Sequence, residues 1–136
     1  RTLANDLFRT YTDGSGRIDL NINVEDVMMD INTSIPLGLI LNELISNAIR
    51  HAFPKGKPGN IQIRLRRLPD GSIELMVADD GVGVPKDFDF RSSGKLGLQS
   101  IFAIGEYQLR AKVDFHTDKG VGCSLCFRDT FYQPRV

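Results

Sequence analysis

Residues 36–53, PLGLILNELISNAIRHAF, decide the fold, because apolar residues recur there at helical spacing. With 100° of rotation per residue, the small and apolar side chains of this stretch fall on one broad stripe. That stripe consists of Leu37, Leu41, Leu44, Ala48 and Ala52. The pattern predicts an amphipathic helix that packs this stripe against a second layer of structure.

The ends of the helix are marked by residues that start and stop helices. Ser34 ahead of Ile35-Pro36 is typical of an N-cap followed by a proline in the first turn. Pro54 and Gly56 are helix-breaking residues, so we expect the helix to end at about His51.

A second face of the same helix is polar. Glu43, Asn47 and Arg50 share that face, and His51 lies beside them. Most faces of this kind are simply solvated. A carboxylate, an amide and a guanidinium one turn apart also suit an activated water or hydroxyl, a magnesium ion and a phosphate tail. The helix alone leaves both interpretations open.

Outward from this helix, alternating apolar residues predict five strands, and helical spacing predicts two further helices. The strands are expected at 17–24, 61–66, 73–77, 113–115 and 123–127, and the helices at 97–109 and 2–11. This order predicts an α/β (α+β) two-layer sandwich, with a mixed, mostly antiparallel sheet covered on one face by about three helices. We assign residues 1–12 to the end of an upstream helix and residues 13–136 to the domain.

Residues 79–83, DDGVG, follow one of these strands. A hairpin turn is one interpretation, but the residues after Pro85 do not alternate as a returning strand should. Gly81 and Gly83 would let the backbone come close to a flat ligand. Asp79 at the strand end offers an acceptor, for which the amino group of adenine is a natural donor.

Residues 92–98, SSGKLGL, lead into the second predicted helix. Free N–H groups and the helix dipole make such a helix start an anion site, although a flexible linker has a similar composition. We expect residues 85–96 to be ordered mainly by a bound ligand. The chain contains no G-x-x-x-x-G-K-[ST] motif, which excludes a P-loop nucleotide fold.

The composition is that of one globular domain: 136 residues, of which 41% are apolar and 25% are charged. The 17 basic and 17 acidic residues cancel, which argues against a general electrostatic attraction to nucleic acid or to an anionic membrane. No apolar run approaches the length of a membrane span. A start at Arg1 suggests a fragment of a longer protein.

The only two cysteines, Cys123 and Cys126, have C-x-x-C spacing. A strand would put their thiols on opposite faces. The two histidines, His51 and His116, have no spacing that completes a zinc site. We therefore interpret both cysteines as strand residues rather than as a redox or metal motif.

Taken together, four segments resemble the ATPase superfamily of DNA gyrase B, the heat-shock chaperone of that fold, mismatch-repair ATPases and histidine kinases. Residues 42–53 resemble its N box, 79–83 its D-x-G-x-G box, 94–98 its second glycine box and 120–123 its Gly-x-Gly-Thr segment. The order and spacing agree over nearly the whole chain. Residues 36–44 are most similar to the ATP-binding catalytic domain of the second class of sensor histidine kinases, which implies a Bergerat-type ATP-binding fold.

The resemblance implies a role for each candidate residue. Asn47 would hold Mg²⁺, Asp79 would bind adenine, and Glu43 occupies the position of the superfamily's catalytic carboxylate. Arg50 and His51 would face the phosphates. The nucleotide pocket would be shaped by Gly81, Gly83, Gly94, Gly97 and Leu98.

Two positions depart from the family pattern. Lys95 stands where many relatives carry another glycine, and it could reach a phosphate instead. Cys123 replaces the usual threonine, so a hydroxyl contact near the nucleotide base is lost or weakened.

The implied reaction uses ATP and Mg²⁺ and transfers the γ-phosphoryl group to a histidine on upstream dimerisation and phosphotransfer helices of the parent protein. The next acceptor would be an aspartate in a response-regulator receiver domain. We expect the fragment itself to be unable to autophosphorylate, because His51 lies in the pocket and His116 in a strand. We also expect a cytoplasmic location, without nucleic-acid binding or direct membrane contact by this fragment; a membrane anchor elsewhere in the parent is compatible with this.

Two alternatives remain open at this point. An anti-sigma-type serine kinase would share Asn47 and Asp79 and would be a complete protein of about this size. A module that senses ATP without transferring phosphate would share the binding residues as well.

Overall fold

The computed structural model describes residues 18–25, 27–53, 58–85, 87–91, 98–117 and 119–128. Two helices and five strands lie in these ranges. In chain order they are β1 (Ile18–Val24), α1 (Ile31–Asn47, continued by a π-helical turn at Ala48–Ala52), β2 (Gly59–Arg67), β3 (Ile73–Asp79), α2 (Gln99–Phe102, continued by a π-helical segment at Ala103–Gln108), β4 (Lys112–His116) and β5 (Gly122–Phe127). The helix predicted over 2–11 lies outside the described residues.

The strands form one sheet in the order β1-β2-β3-β5-β4. β1 pairs with β2 in parallel, and the other three pairings are antiparallel. All five predicted strands are therefore confirmed within a few residues, as is the mixed, mostly antiparallel sheet. In the described part of the chain, no helix has the length and apolar character needed to cross a bilayer.

Helix α1 packs on the sheet through a wider face than the predicted stripe. Leu37, Leu44 and the two alanines of the stripe are buried, as expected. The most deeply buried positions on the helix are Ile40 and Ile45, both with no exposed surface, whereas Leu41 is only partly buried. The face is wide because sheet residues and α2 contact it together, and these include Ile61, Ile63, Ile73, Leu75, Ile101 and Leu125.

The predicted start of α1 at Ser34 is wrong. The N-cap is Asp30, whose carboxylate accepts a hydrogen bond from the backbone N–H of Thr33 at 3.0 Å. A carboxylate there satisfies a free donor and faces the positive end of the helix dipole. Pro36 consequently lies inside the helix, where it cannot donate to the carbonyl of Asn32. The Ser34–Pro36 pattern resembled a cap because proline is most often tolerated in the first turn of a helix, where its missing N–H costs no hydrogen bond.

Both helices end in π-helical geometry. The π turn carries α1 to Ala52, one residue past the predicted end. Helix α2 begins at Gln99 rather than near 97, and its π segment closes with the N–H of Leu109 donating to the carbonyl of Ile104 at 3.0 Å. Arg110 then adopts a positive φ of 53° and turns the chain into β4.

The two cysteines lie on opposite faces of β5, as the strand pattern predicts. Cys123 is buried on the helix side. Cys126 lies on the other side, with its Sγ 3.6 Å from the hydroxyl of Ser72. Both thiols are free.

Candidate nucleotide-binding site

A cleft lies between the C-terminal half of α1 and the ends of β3 and β5. The space between these elements, including the open solvent at the mouth, is about 530 Å³. The lining is mostly apolar with a few polar groups. It consists of Leu44, Asn47, Ala48, His51, Ala52, Val77, Asp79, Gly83, Val84, Leu98, Phe115, Val121 and Cys123.

Asp79 is the acidic group of this cleft and stands at the last position of β3. Its Oδ1 accepts hydrogen bonds from the backbone N–H groups of Gly81 at 2.9 Å and Val121 at 3.2 Å. Within the described residues, Oδ2 receives no hydrogen bond, so one oxygen is fixed and the other is available to a ligand. Burial raises the pKa of Asp79 above its ordinary value, while the two N–H donors act in the opposite direction.

Glycines fill the space around Asp79, and a side chain on them would not fit. A Cβ on Gly81 would lie 2.3 Å from the backbone oxygen of Ala52, and one on Gly120 would lie 2.3 Å from both the backbone oxygen and Oδ1 of Asp79. The N–H of Val82 donates to the same Ala52 oxygen at 3.0 Å. This wall, formed by the end of β3 and the two glycines, is called the β3 wall below. Gly120 was absent from the predicted site residues, although its Gly-x-Gly segment was recognised.

The neighbouring carboxylate has a different environment. Asp80 accepts hydrogen bonds from the backbone N–H of Asn60 at 2.8 Å and from the Asn60 side chain at 3.0 Å. These bonds hold the pKa of Asp80 below its ordinary value. Asp80 is exposed and ties the loop after β3 to β2, so only Asp79 of this pair lines the apolar cleft.

On the helix side, Asn47 and His51 line the cleft. Asn47 is the last residue of the regular helix, and His51 lies in the π turn that follows. The side-chain nitrogen of Asn47 is buried and finds no hydrogen-bond partner within the described part of the chain. A buried N–H donor without a partner is costly, so an acceptor atom of a bound ligand, such as a phosphate oxygen, is a natural partner for it.

Glu43 and Arg50 do not belong to the lining of this cleft. Arg50 is exposed, and its guanidinium donates to the backbone oxygen of Ser46 at 3.4 Å and to the Ser46 hydroxyl at 3.5 Å. Glu43 is half-buried one turn before Asn47. The structure thus brings six predicted residues to the cleft, namely Asn47, His51, Asp79, Gly83, Leu98 and Cys123, with Gly81 directly behind Asp79.

Three further predicted residues, Gly94, Lys95 and Gly97, lie outside the described residues. Leu98, which follows them, is buried and lines the cleft. Cys123 presents a thiol whose pKa burial raises to about 12, with a smaller contribution from the charge of Asp114. The thiol is therefore neutral at physiological pH and adds neither charge nor nucleophilicity to the cleft.

An aromatic cluster that the sequence did not predict borders the cleft at Phe115. Phe90 stacks on Phe115 with ring centroids 4.6 Å apart, Phe88 meets Phe90 edge-on at 5.0 Å, and Phe102 lies 5.4 Å from Phe115. Arg91 lies 4.3 Å from the ring centre of Phe102 and pairs with Glu106, with Nη1 donating to Oε1 at 3.0 Å. These contacts fasten residues 87–91 to β4 and α2. The signal available in the sequence was the pair of aromatic residues in an otherwise polar loop.

The chain is similar in sequence to one large family of ATPases. A family model described as histidine kinase-, DNA gyrase B-, and HSP90-like ATPase matches residues 32–131. The chain is 33% identical over 91 residues to blue-light-activated histidine kinase 2 of Erythrobacter litoralis. The aligned stretch covers 67% of this chain and 26% of that protein. The chain thus spans about a quarter of the length of this relative.

Solved structures share the fold. A blue-light activated histidine kinase of Erythrobacter litoralis superposes with a TM-score of 0.84 at 25% identity, over 95% of this chain and 40% of that one. The catalytic domain of the histidine kinase ThkA superposes with a TM-score of 0.75 at 20% identity, over 94% of this chain and 90% of that one. At 20% identity, the similarity to ThkA shows a shared fold and nothing more.

Proposed function

Because the chain belongs to the family of histidine kinase-, DNA gyrase B-, and HSP90-like ATPases, we propose that it binds Mg-ATP and transfers the γ-phosphoryl group to a histidine of its parent protein. The acceptor would lie on upstream dimerisation and phosphotransfer helices, and a response-regulator receiver domain would take the phosphoryl group next. The observation that carries the proposal is the arrangement of Asp79 in an apolar, glycine-walled cleft.

Asp79 is suited to recognise adenine. Its Oδ1 is held by two backbone donors, so the free Oδ2 has a fixed direction and can accept from the exocyclic amine of the base. The apolar lining near it, including Val77 and Val121, would contact the flat faces of the ring. A preorganised acceptor in a partly buried site binds more strongly than one exposed to water.

The cleft also fits a magnesium ion bound together with phosphates. Mg²⁺ keeps several waters and takes one or two protein oxygens in addition to substrate phosphates. Asn47 lines the cleft, and because its amide nitrogen has no partner among the described residues, its oxygen can turn toward a metal without breaking a bond. Bound there, the ion would neutralise phosphate charge.

The remaining residues would position the triphosphate. His51 lines the cleft beyond Asn47 and would contact it directly. Arg50 would have to break its hydrogen bonds to Ser46 to reach the triphosphate. We propose that Lys95 contacts the phosphates as well. Glu43 would orient the attacking group as the catalytic carboxylate. Phosphoryl transfer requires mainly positioning and charge neutralisation, which such a set of side chains provides.

The acceptor is expected outside this fragment. His51 lies in the cleft, and His116 is exposed at the end of β4 with its ring against Gly122. We therefore expect the isolated chain to bind nucleotide and to remain unlabelled by γ-labelled ATP.

Phosphoamino-acid analysis of the parent protein tests the proposed function. After incubation with γ-labelled ATP and Mg²⁺, the label should be lost in acid and retained in base, as phosphohistidine behaves. The matched Asp79→Asn protein should stay unlabelled at the same ATP concentration. Acid-stable phosphoserine would favour the serine kinase instead, and nucleotide binding without any label would favour an ATP sensor.

A second experiment tests the metal contact. Asn47→Ala should leave ADP binding without metal nearly unchanged and should abolish the increase in affinity that Mg²⁺ produces, because the proposed metal ligand is gone. Asn32→Ala, at an exposed position of the same helix, is the matched control and should keep the Mg²⁺ effect. If the Mg²⁺ effect survives Asn47→Ala in calorimetry, the metal is held elsewhere.

A further inference from the structure

Two exposed residues beside the cleft, Asp80 and Asn60, are joined by three hydrogen bonds. The backbone N–H of Asp80 donates to the carbonyl of Asn60 at 3.2 Å. The backbone N–H and the side-chain amide of Asn60 donate to the two carboxylate oxygens of Asp80, at 2.8 and 3.0 Å. These two bonds, with a smaller contribution from the charge of Lys119, hold the pKa of Asp80 below its ordinary value, so the carboxylate is charged at neutral pH.

The pair of Asp80 and Asn60 ends the ladder between β2 and β3. Ile61 faces Asp79 at the end of the paired region, and Asn60 and Asp80 stand one step beyond them. In a regular antiparallel ladder, opposite residues of a hydrogen-bonded pair exchange two N–H···O=C bonds. Here the N–H of Asn60 donates to the carboxylate of Asp80, which serves as the acceptor in place of a backbone carbonyl. The side chain thus completes the pair while the backbone after Asp80 turns toward the end of α1.

This turn decides where the N–H of Gly81 points. That N–H belongs to the peptide unit that follows Asp80, and it donates to Oδ1 of Asp79 at 2.9 Å. The second donor to the same oxygen, the N–H of Val121 at 3.2 Å, comes from a different segment of the chain. Loosening Asp80 would therefore withdraw one of the two donors that orient the Asp79 carboxylate and leave the other in place.

The side chain of Asp80 does not line the nucleotide cleft. With Asn60 and His116 it borders a second cavity on the sheet face away from the helices, which Gln62 also lines. A carboxylate repels the phosphates of a nucleotide, so the electrostatic effect of removing it is to strengthen binding. Weaker binding after removal of Asp80 would have to come through the geometry of Asp79.

We propose that Asp80 is a positioning residue for nucleotide binding. Held by Asn60, it fixes the N–H of Gly81 on Oδ1 of Asp79, and this contact keeps Oδ2 available in the cleft in one direction. The effect on nucleotide affinity rests on the proposed function, whereas the Gly81 contact is a property of the free protein. The two are therefore measured separately.

NMR of the free 136-residue chain tests the contact. The Gly81 amide proton should resonate downfield and exchange slowly, because it donates to a carboxylate. Asp80→Ala should move this signal upfield and speed its exchange about tenfold, while the Val121 amide keeps its shift and its exchange rate. Asp19→Ala is the matched control, because Asp19 is an exposed carboxylate opposite Asn60 on β1, and it should change neither amide.

The conservative variant Asp80→Asn should restore the contact. Its amide oxygen can accept from the N–H of Asn60, and the Asn60 side chain can rotate to accept from the new amide nitrogen. The Gly81 signal should then resemble that of the original chain. Restoration by a neutral side chain would show that hydrogen bonding to Asn60, and not the charge of Asp80, positions the turn.

Calorimetry with ADP tests the consequence for the cleft. Asp80→Ala should bind ADP about three- to fivefold more weakly, because the acceptor is less preorganised although Asp79 itself remains. Asp80→Asn should bind about as well as the original chain. Asn60→Ala removes only the side-chain bond and leaves residues 79–83 unaltered, so it should show a smaller loss in the same direction. This last variant decides the question if Asp80→Ala does not fold.

Three results would overturn the proposal. The first is a Gly81 amide that keeps its shift and exchange rate in Asp80→Ala, because the contact would then not depend on Asp80. The second is ADP binding by Asp80→Ala as strong as that of the original chain or stronger. The third is a loss in Asp80→Asn equal to that in Asp80→Ala. An original chain that binds no ADP would instead refute the proposed function, and the Gly81 signals would still show whether Asp80 fixes the contact.

Discussion

The β3 wall and the segment 87–91 border the same cleft but are held in different ways. In the β3 wall, backbone atoms touch backbone atoms, and Gly81 and Gly120 leave no space for even one added carbon. Segment 87–91 contacts β4 and α2 through side chains, with Phe90 on Phe115 and Arg91 paired with Glu106. The direction of the Asp79 carboxylate is thus fixed by the fold, whereas the position of segment 87–91 rests on contacts that can break and re-form.

The largest effect is expected from Gly120→Ala. The new Cβ would overlap the backbone and carboxylate of Asp79, which cannot move without disturbing β3. Overpacking of this kind costs about 1–3 kcal/mol, and we expect a comparable loss in the free energy of unfolding together with at least a tenfold weaker binding of ADP. Denaturant unfolding and calorimetry measure the two quantities.

Gly122→Ala is the matched control for this change. The three atoms nearest to a Cβ there all belong to the imidazole of His116, an exposed side chain that can rotate away. Its effect on unfolding and on ADP binding should be clearly smaller than that of Gly120→Ala. Equal effects of the two substitutions would mean that the β3 wall is not specially constrained.

A smaller and more local effect is expected from Phe90→Ala. Loss of the stacked pair should cost about 0.5–1.5 kcal/mol beyond the area that it exposes, and the cost should fall on segment 87–91. Hydrogen exchange of these amides should become faster, while the amides of β3 keep their protection. Glu106→Gln is the control and should change little, because exposed ion pairs contribute little to stability. If Glu106→Gln loosened the segment as much as Phe90→Ala, the ion pair and not the ring stack would be its anchor.

The smallest effect concerns the pH dependence of stability. Burial raises the pKa of Asp79 in the folded protein above 3.8, so the folded state binds its proton more tightly than the unfolded state. As pH rises through the pKa values of Asp79 in the unfolded and folded states, its ionisation therefore lowers the free energy of unfolding. Asp79→Asn removes that penalty. The variant should be somewhat more stable than the original protein at neutral pH, and the gain should vanish below pH 3.8. Urea unfolding at both pH values measures the difference in stability. A variant that is less stable than the original protein at neutral pH would contradict this prediction.

The sequence predicted the parts of the molecule that depend on local periodicity. Alternation located all five strands, and the end of a strand followed by closely spaced glycines identified Asp79 as the acidic group of the cleft. These predictions succeeded because a half-buried strand and a tight glycine turn each impose a pattern on adjacent residues.

Features that depend on distant contacts were not predicted. Asp30 and Ser34 both cap helices well, and only the path of the chain after β1 determines which of them does. The separation of Asp79 from Asp80 requires knowing that Asn60 lies beside one of them. The stack of Phe90 on Phe115 joins residues 25 positions apart, and neither position alone indicates the other.

The most direct test of the central claim is calorimetry of ADP binding to the original chain and to Asp79→Asn at neutral pH. The carboxylate oxygen that faces the cleft should accept from the adenine amine, and the substituted amide would present a competing donor. A lost hydrogen bond to a charged group costs about 1.5–3 kcal/mol, so we predict affinity at least tenfold lower in a variant that is still folded. Equal affinity of the two proteins would show that Asp79 does not bind the base and would remove the basis of the proposed function.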